Sequence, residues 1–174
     1  MEEKIQDKTQ EIQLVIFKIG QEEFAVNIQQ VREIVRLIPI TPIPRSPDFI
    51  EGVVNLRGQV LIVMDLAKRL GLASTTHSEK TRIVVVEVED SSVGMVVDDV
   101  TEVLRLGTDK IVKTMDLAEV DITKKYITGI GKLKDRLLIL IDLSAVLSSE
   151  ELEHAEKLRS KLEEDTTPTA PKEK

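Results

Sequence analysis

The sequence predicts a mainly β protein built from two similar small barrels. Three observations carry that prediction. First, the chain repeats itself. The segment 50–66 (IEGVVNLRGQVLIVMDL) returns 77 residues later as 127–143 (ITGIGKLKDRLLILIDL), identical at seven of 17 positions and alike in chemical class at five more. A weaker echo links 15–36 to 84–105 at a shift of 69, so the second copy carries eight extra residues of loop. Such duplication predicts two similar β-rich halves with a seam between them. Second, strand-like runs follow one another through hairpin turns, with no recurrent βαβ spacing. Third, Val60 to Met64 and Leu137 to Ile141 are unbroken apolar runs between turn signals. Five residues are too few for a buried helix, so these runs read as strands covered on both faces, as where two barrels meet.

In chain order, residues 1–11 are polar and read as a flexible N-terminus. Gln13 to Ile19 and Glu23 to Ile28 form hairpin arms around Gly20-Gln21-Glu22. Val31, Ile34 and Val35 stand at helical spacing, which predicts a short helical turn over 29–36. Pro39, Pro42, Pro44 and Pro47 then remove backbone donors, so this stretch is extended and at the surface. Ser46 reads as a cap with Pro47 at the first helical position, opening a short turn over 48–51 that Gly52 stops. Val53 to Leu56 and Val60 to Met64 are a second hairpin around Arg57-Gly58-Gln59. Asp65 caps a short helix over 66–70 that ends at Gly71, and Asp142 is the equivalent cap. Residues 73–80 are a polar linker, which divides a folded unit of 12–147 into halves of 12–72 and 81–147. Strands resume at 82–88 and 94–97, residues 107–126 read as loop, and a hairpin closes 127–142. Ser148-Ser149-Glu150-Glu151 fits a capping box. Leu152, Ala155, Leu158 and Leu162 continue it as an amphipathic helix over 148–163, and 164–174 have a disordered composition.

Chemistry is scarce in this composition. The 174 residues include no cysteine, which removes disulfides and thiolate chemistry. A net charge of −7 disfavours nucleic acid as a partner. No run approaches the ~20 apolar residues of a membrane span, and the N-terminus lacks a signal-peptide core, so a cytoplasmic protein is expected. His77 and His154 have no local partner set and read as surface residues. Gly129-Ile130-Gly131-Lys132 fails as a dinucleotide motif because position 134 is lysine. Asp98-Asp99, or Asp65 with Asp142, offer paired carboxylates for a magnesium site. Duplicated helix caps explain the second pair more simply. The expectation is no enzyme, no cofactor and no metal, with a magnesium enzyme using Asp98 and Asp99 as an alternative.

What remains is a vocabulary of recognition. Arg57 sits at a hairpin tip in Asn55-Leu56-Arg57-Gly58. Its five-donor fork either pairs with an acid of the same chain, bracing the barrels, or meets a partner's carboxylate. Val31-Arg32-Glu33-Ile34-Val35 is either core or the wall of a groove for a partner helix, with Glu33 at its edge.

The strings Gln21-Glu22-Glu23-Phe24, Val31-Arg32-Glu33-Ile34, Ile43-Pro44-Arg45-Ser46-Pro47, Gly52-Val53-Val54-Asn55-Leu56-Arg57-Gly58 and Val96-Val97-Asp98 resemble the CheW family of bacterial chemotaxis adaptors, in order and spacing, from about Ile12 to Leu147. The resemblance implies two intertwined five-stranded SH3-like barrels. It implies an adaptor coupling the cytoplasmic tips of methyl-accepting chemoreceptors to the regulatory domain of the CheA histidine kinase, recruited to membrane-associated receptor arrays without entering the membrane. Carried over by position, the receptor groove would use Val31, Glu33, Ile34, Asn55, Leu56, Arg57, Gly58 and Val103. Leu37, Ile38 and Ile40 are candidates for kinase docking. A regulatory module of another two-component system is the alternative within the family. In the second copy the Asn-Leu-Arg-Gly string has become Lys132-Leu133-Lys134-Asp135, which implies one specialised half and one supporting half.

Overall fold

The computed structural model describes residues 10–73, 77–88, 90–113 and 126–166. Among these described residues, eleven strands and two α-helices follow in order. The strands are β1 (Glu11–Ile19), β2 (Glu22–Asn27), β3 (Val31–Arg36), β4 (Ile50–Leu56), β5 (Gln59–Asp65), β6 (Arg82–Val88), β7 (Ser91–Val97), β8 (Asp99–Gly107), β9 (Ile111–Lys113), β10 (Ile127–Lys132) and β11 (Leu137–Ile141). Helix α1 (Leu66–Arg69) follows β5, and α2 (Ser149–Thr166) ends the described chain. The protein is mainly β, in two sheets, with one long C-terminal helix.

The repeat maps element onto element: β1, β2 and β3 correspond to β6, β7 and β8, and β4 and β5 to β10 and β11. The sheets do not follow that division. One has the order β8-β1-β2-β11-β10-β9, the other β3-β6-β7-β5-β4. Each therefore takes its first hairpin from one half of the chain and its remaining strands from the other. The two halves thus build two interlocked, pseudo-symmetric barrels, the intertwined arrangement that the family resemblance implies. β9 gives the first sheet one strand beyond the expected five. In the other sheet its place is held by a single bridge, Thr41 to Val53, with N–O distances of 2.8 and 2.9 Å.

Three apolar clusters follow from this exchange. Leu14, Ile16, Leu138 and Leu140 fill one barrel; Val54, Leu61, Val63 and Ile83 fill the other. The largest cluster lies between them, where Val15, Phe17, Phe24, Met64, Met95 and Ile141 meet. Phe17 and Phe24 stack at 5.8 Å there. Strand alternation explains it: in β1, Leu14 and Ile16 face their own barrel while Val15 and Phe17 face the seam. At roughly 1.5–3 kcal/mol per buried large side chain, the seam is the main source of stability. The run in β5 is buried on both faces as expected. The run in β11 is not fully covered, because Leu137 at its start is 63% exposed.

Other local expectations fail for identifiable reasons. Residues 31–36 are strand β3 rather than a helical turn; only 28–30 form a 3-10 turn. The turn expected over 48–51 is shortened to a single hydrogen-bonded turn, in which the Ile50 N–H donates to the Pro47 carbonyl at 3.0 Å. Strand β4 begins at Ile50, and the Ser46 hydroxyl donates to the Ile43 carbonyl at 2.8 Å. Gly52 is no helix stop. It lies within β4 at φ 149°, where a Cβ would sit 2.1 Å from the Thr41 carbonyl oxygen. Gly129, its repeat mate, would meet the Val112 carbonyl oxygen at 2.8 Å. The repeated glycine thus lets a neighbouring backbone cross β4 and β10. The predicted loop over 107–126 contains the end of β8, a 3-10 turn at 108–110 and β9. Its remainder, like most of the polar N-terminus, part of the linker and the last eight residues, lies outside the described residues.

The predicted caps form. Asp65 accepts from the Ala67 N–H at 3.0 Å. Asp142 accepts from the Ser144 N–H at 2.9 Å and from Gln30 Nε2 at 2.6 Å, while Gln30 Oε1 accepts from the Leu143 N–H at 3.0 Å. Burial pushes the Asp142 carboxyl up, but hydrogen bonds from Ser144, Gln30 and the backbone outweigh it and leave it below the usual carboxylate range. The capping box at α2 is reciprocal: Ser148 N–H to Glu151 Oε1 at 2.8 Å, Glu151 N–H to Ser148 Oγ at 3.1 Å. Helix α2 runs to Thr166 and so takes in the first residues of the expected tail.

Two predictions follow from this packing. Gly52→Ala should destabilise the fold by about 2–4 kcal/mol, since it adds both a backbone clash and left-handed strain. Urea unfolding measures this, and an unchanged midpoint would mean that β4 and the Thr41 strand can separate freely. Asp142→Ala should cost about 1–2 kcal/mol at neutral pH. A carboxyl held below its unfolded pKa stabilises above that pKa and loses its contribution as pH falls through the folded value. The gap between wild type and variant should therefore shrink on acidification; a gap that widened would contradict the assignment.

Candidate functional site

The site is built around the turn between β4 and β5. Arg57 and Gly58 have φ of 52° and 87°. Positive φ at both central residues is the geometry of a two-residue hairpin turn that follows the strand twist, and it favours Asn, Asp and Gly. Gly58 fits; Arg57 does not. Asn55 secures the turn by accepting from the Gly58 N–H at 2.8 Å. The strained position holds the Arg57 guanidinium against Glu33 of β3, where Nη2 donates to Oε1.

β3 and β4 are the two outer strands of their sheet, joined beyond β3 by the Thr41–Val53 bridge. The Arg57–Glu33 pair therefore spans the closing edge of one barrel rather than bracing the two barrels. Arg57 remains 65% exposed. An ion pair whose arginine is so open to water adds roughly 0–1 kcal/mol to stability.

Beside the pair lies a polar cavity of about 200 Å³. All five strands of the sheet line it, among them Glu33, Leu56 and Gln59, and so does α2 through Glu156 and Arg159. Arg159 Nη2 donates to Glu156 at 2.7 Å. The Arg159 guanidinium, ahead of the Ser91 hydroxyl, holds the Glu156 carboxyl below its ordinary range.

The structure brings Glu33, Asn55, Leu56, Arg57 and Gly58 together. Ile34, on the same strand, is an exposed large apolar residue. Val31 is partly buried against the seam. Val103 is half exposed on β8 of the other sheet, at the repeat position of Ile34, and does not line the cavity. Leu37, Ile38 and Ile40 are half-buried against the interior of the Arg57 barrel, and with Pro39 and Pro42 they line a separate groove.

Sequence reasoning missed one residue of this pattern. Glu102, the repeat mate of Glu33, also has an arginine, but from the far side of its turn. Arg136 reaches Glu102 with Nη2 and Glu23 with Nε, each at 2.6 Å. The hydrogen bond to Glu102 raises the Arg136 pKa further. Direct alignment puts Lys134 opposite Arg57 and Arg136 opposite Gln59, which hid the equivalence.

Asp98, like the capping Asp65 and Asp142, has a structural partner. Asp98 Oδ2 accepts from the Gly20 N–H at 2.6 Å, and the Asp98 N–H donates to the Lys18 carbonyl at 3.0 Å, so it buckles the β1–β2 turn. Asp99 opens β8 opposite Lys18. Among the described residues, no three His, Asp or Glu side chains converge as metal ligands. No helix among them is long and apolar enough to cross a membrane.

With this geometry in place, known proteins supply a frame. The family model described as "CheW-like domain" matches residues 13–151. A chemotaxis protein CheW from Rhizobium meliloti is 37% identical over 143 residues, 82% of this chain and 92% of that protein. One from Bacillus subtilis is 34% identical over 142 residues, 82% of this chain and 90% of that protein. The crystal structure of the scaffolding protein TtCheW from Thermoanaerobacter tengcongensis superposes with a TM-score of 0.72 at 33% identity, over 82% of this chain and 97% of that one. The two interlocked barrels are thus the fold of that scaffolding protein, and the chain belongs to the CheW-like family of chemotaxis proteins, which are not enzymes.

Proposed function

We propose that this chain is an adaptor that couples chemoreceptors to the CheA histidine kinase in bacterial chemotaxis. One observation carries the reading: Arg57 occupies a turn position that suits Asn, Asp or Gly far better. A residue held in unfavourable backbone geometry, contributing little to stability, is there for its side chain. That side chain forms a charged pair with Glu33 at the closing edge of the barrel, and Ile34, the next residue of β3, is exposed on the strand's other face.

In this reading Val31, Glu33, Ile34, Asn55, Leu56, Arg57, Gly58 and Val103 form the receptor surface. A helical receptor tip meets it as a helix laid in a groove, with apolar anchors inside a polar rim. Leu37, Ile38 and Ile40 belong to the kinase-docking surface. The functional unit is 12–147, working in the cytoplasm at receptor arrays. Binding both partners at once raises their effective concentration and fixes their orientation, so the adaptor controls kinase output without chemistry of its own.

Calorimetric titration with the CheA regulatory domain, followed by a receptor signalling fragment, tests the reading. Simultaneous micromolar binding to both is expected; a folded sample that binds neither would overturn it. Arg57→Ala should weaken receptor binding by about tenfold while shifting stability by less than about 1 kcal/mol. Equal free-energy losses in the two measurements would return Arg57 to a structural role.

A further inference from the structure

Pseudo-symmetry poses a problem of recognition. Each barrel presents a turn, an arginine and a repeat-equivalent glutamate, so a partner that reads this motif meets it twice. In the six-stranded sheet, Arg136 itself occupies the barrel end, bound to Glu102 and Glu23. In the five-stranded sheet the matching positions hold Gln59, Glu33 and Ser92. There β3 supplies Arg32, whose Nη1 donates to the Ser92 hydroxyl at 2.7 Å, and a second arginine comes from outside the strands, Arg159 of α2, lining the same cavity as Gln59 and Glu33. Helix α2 is the element that makes the two ends different.

Its placement is secured from two sides. At its start, Arg69 Nε donates to the Val146 carbonyl at 2.7 Å and Nη2 donates to Glu151 at 2.8 Å, with the guanidinium 5.1 Å over the Phe49 ring. One turn later Ala155 is buried. Beyond it, Glu156 is held by Ser91 of β7 and by Arg159. The middle of the helix is thereby set at the rim of the cavity that Glu33 and Leu56 share.

We propose that α2 is a wall of the receptor groove, and that Arg159, held by Glu156, is a specificity-determining residue directing the receptor helix to this barrel rather than to its twin. The inference rests on the receptor-coupling reading above and adds a determinant that lies outside the repeat. It assigns a role to a helix that the sequence marks only as amphipathic and acidic.

The test uses the full-length chain, with separate titrations against the receptor fragment and the CheA regulatory domain. Arg159→Ala should weaken receptor binding by about fivefold or more, and kinase-domain binding by less than about twofold. Lys157→Ala, on the exposed side of the same helix, should leave both unchanged. Ser91→Ala releases Glu156 from the strand side and should weaken receptor binding by about threefold, which keeps the idea testable if Arg159→Ala folds poorly. Receptor binding unchanged in both Arg159→Ala and Ser91→Ala would overturn the inference, as would equal losses for both partners. Failure of the wild-type protein to bind the receptor fragment is a different result: it removes the coupling reading and this inference with it.

Discussion

Neither barrel can close from its own half of the chain, and most of the structure depends on that constraint. The first hairpin of each half is surrendered to the opposite sheet, so β2 lies beside β11 and β7 beside β5. The strands at these junctions are covered on one side by their barrel and on the other by the seam. This is why the aliphatic runs are continuous rather than alternating, and why a chain with three Phe, one Tyr and no Trp can still assemble a core. The stacked Phe17 and Phe24 belong to that shared layer rather than to either barrel.

Above this rigid frame, the recognition features contribute little to stability. The Arg57–Glu33 pair is open to water, and its main structural effect is to hold two side chains in a fixed relation at the closing edge of a barrel. That division of labour suits a scaffold: the buried seam sets the frame, while the rim is free to specialise. The two rims have specialised differently. One places its arginine on the turn and borders it with a helix; the other places it just after the turn and binds it to two glutamates.

The duplicated architecture, both repeat hairpins, the two aspartate caps and the capping box of α2 were all legible in the sequence, because each depends on local spacing. Strand β3 was not. Val31, Ile34 and Val35 satisfy a helical spacing, but register with β6 sets Glu33 and Val35 opposite the barrel-facing Val85 and Ile83, a bulge leaves Val31 opposite Val86 at the seam, and pairing decides the outcome. Gly52 looked like a stop because its reason for being glycine, the crossing backbone at Thr41, lies eleven residues upstream. The Arg57 motif was visible as a string, whereas its partner Glu33 is close only through sheet closure. Arg136 was hidden by a change of side across the turn, which no linear alignment of the repeats reveals.

The strand exchange also bears on how the molecule comes into being. A barrel whose hairpin and remaining strands are far apart in sequence has few short-range contacts to reward early ordering, so the search for native pairing is slow. On the ribosome, β1 and β2 emerge long before β8, β10 and β11, and they cannot complete a sheet until nearly the whole chain has been made. The apolar seam must wait in a partly formed state during that interval, when hydrophobic surface is most vulnerable to self-association. The interlocking that makes the finished scaffold hard to pull apart therefore makes it dependent on reaching its last strands intact.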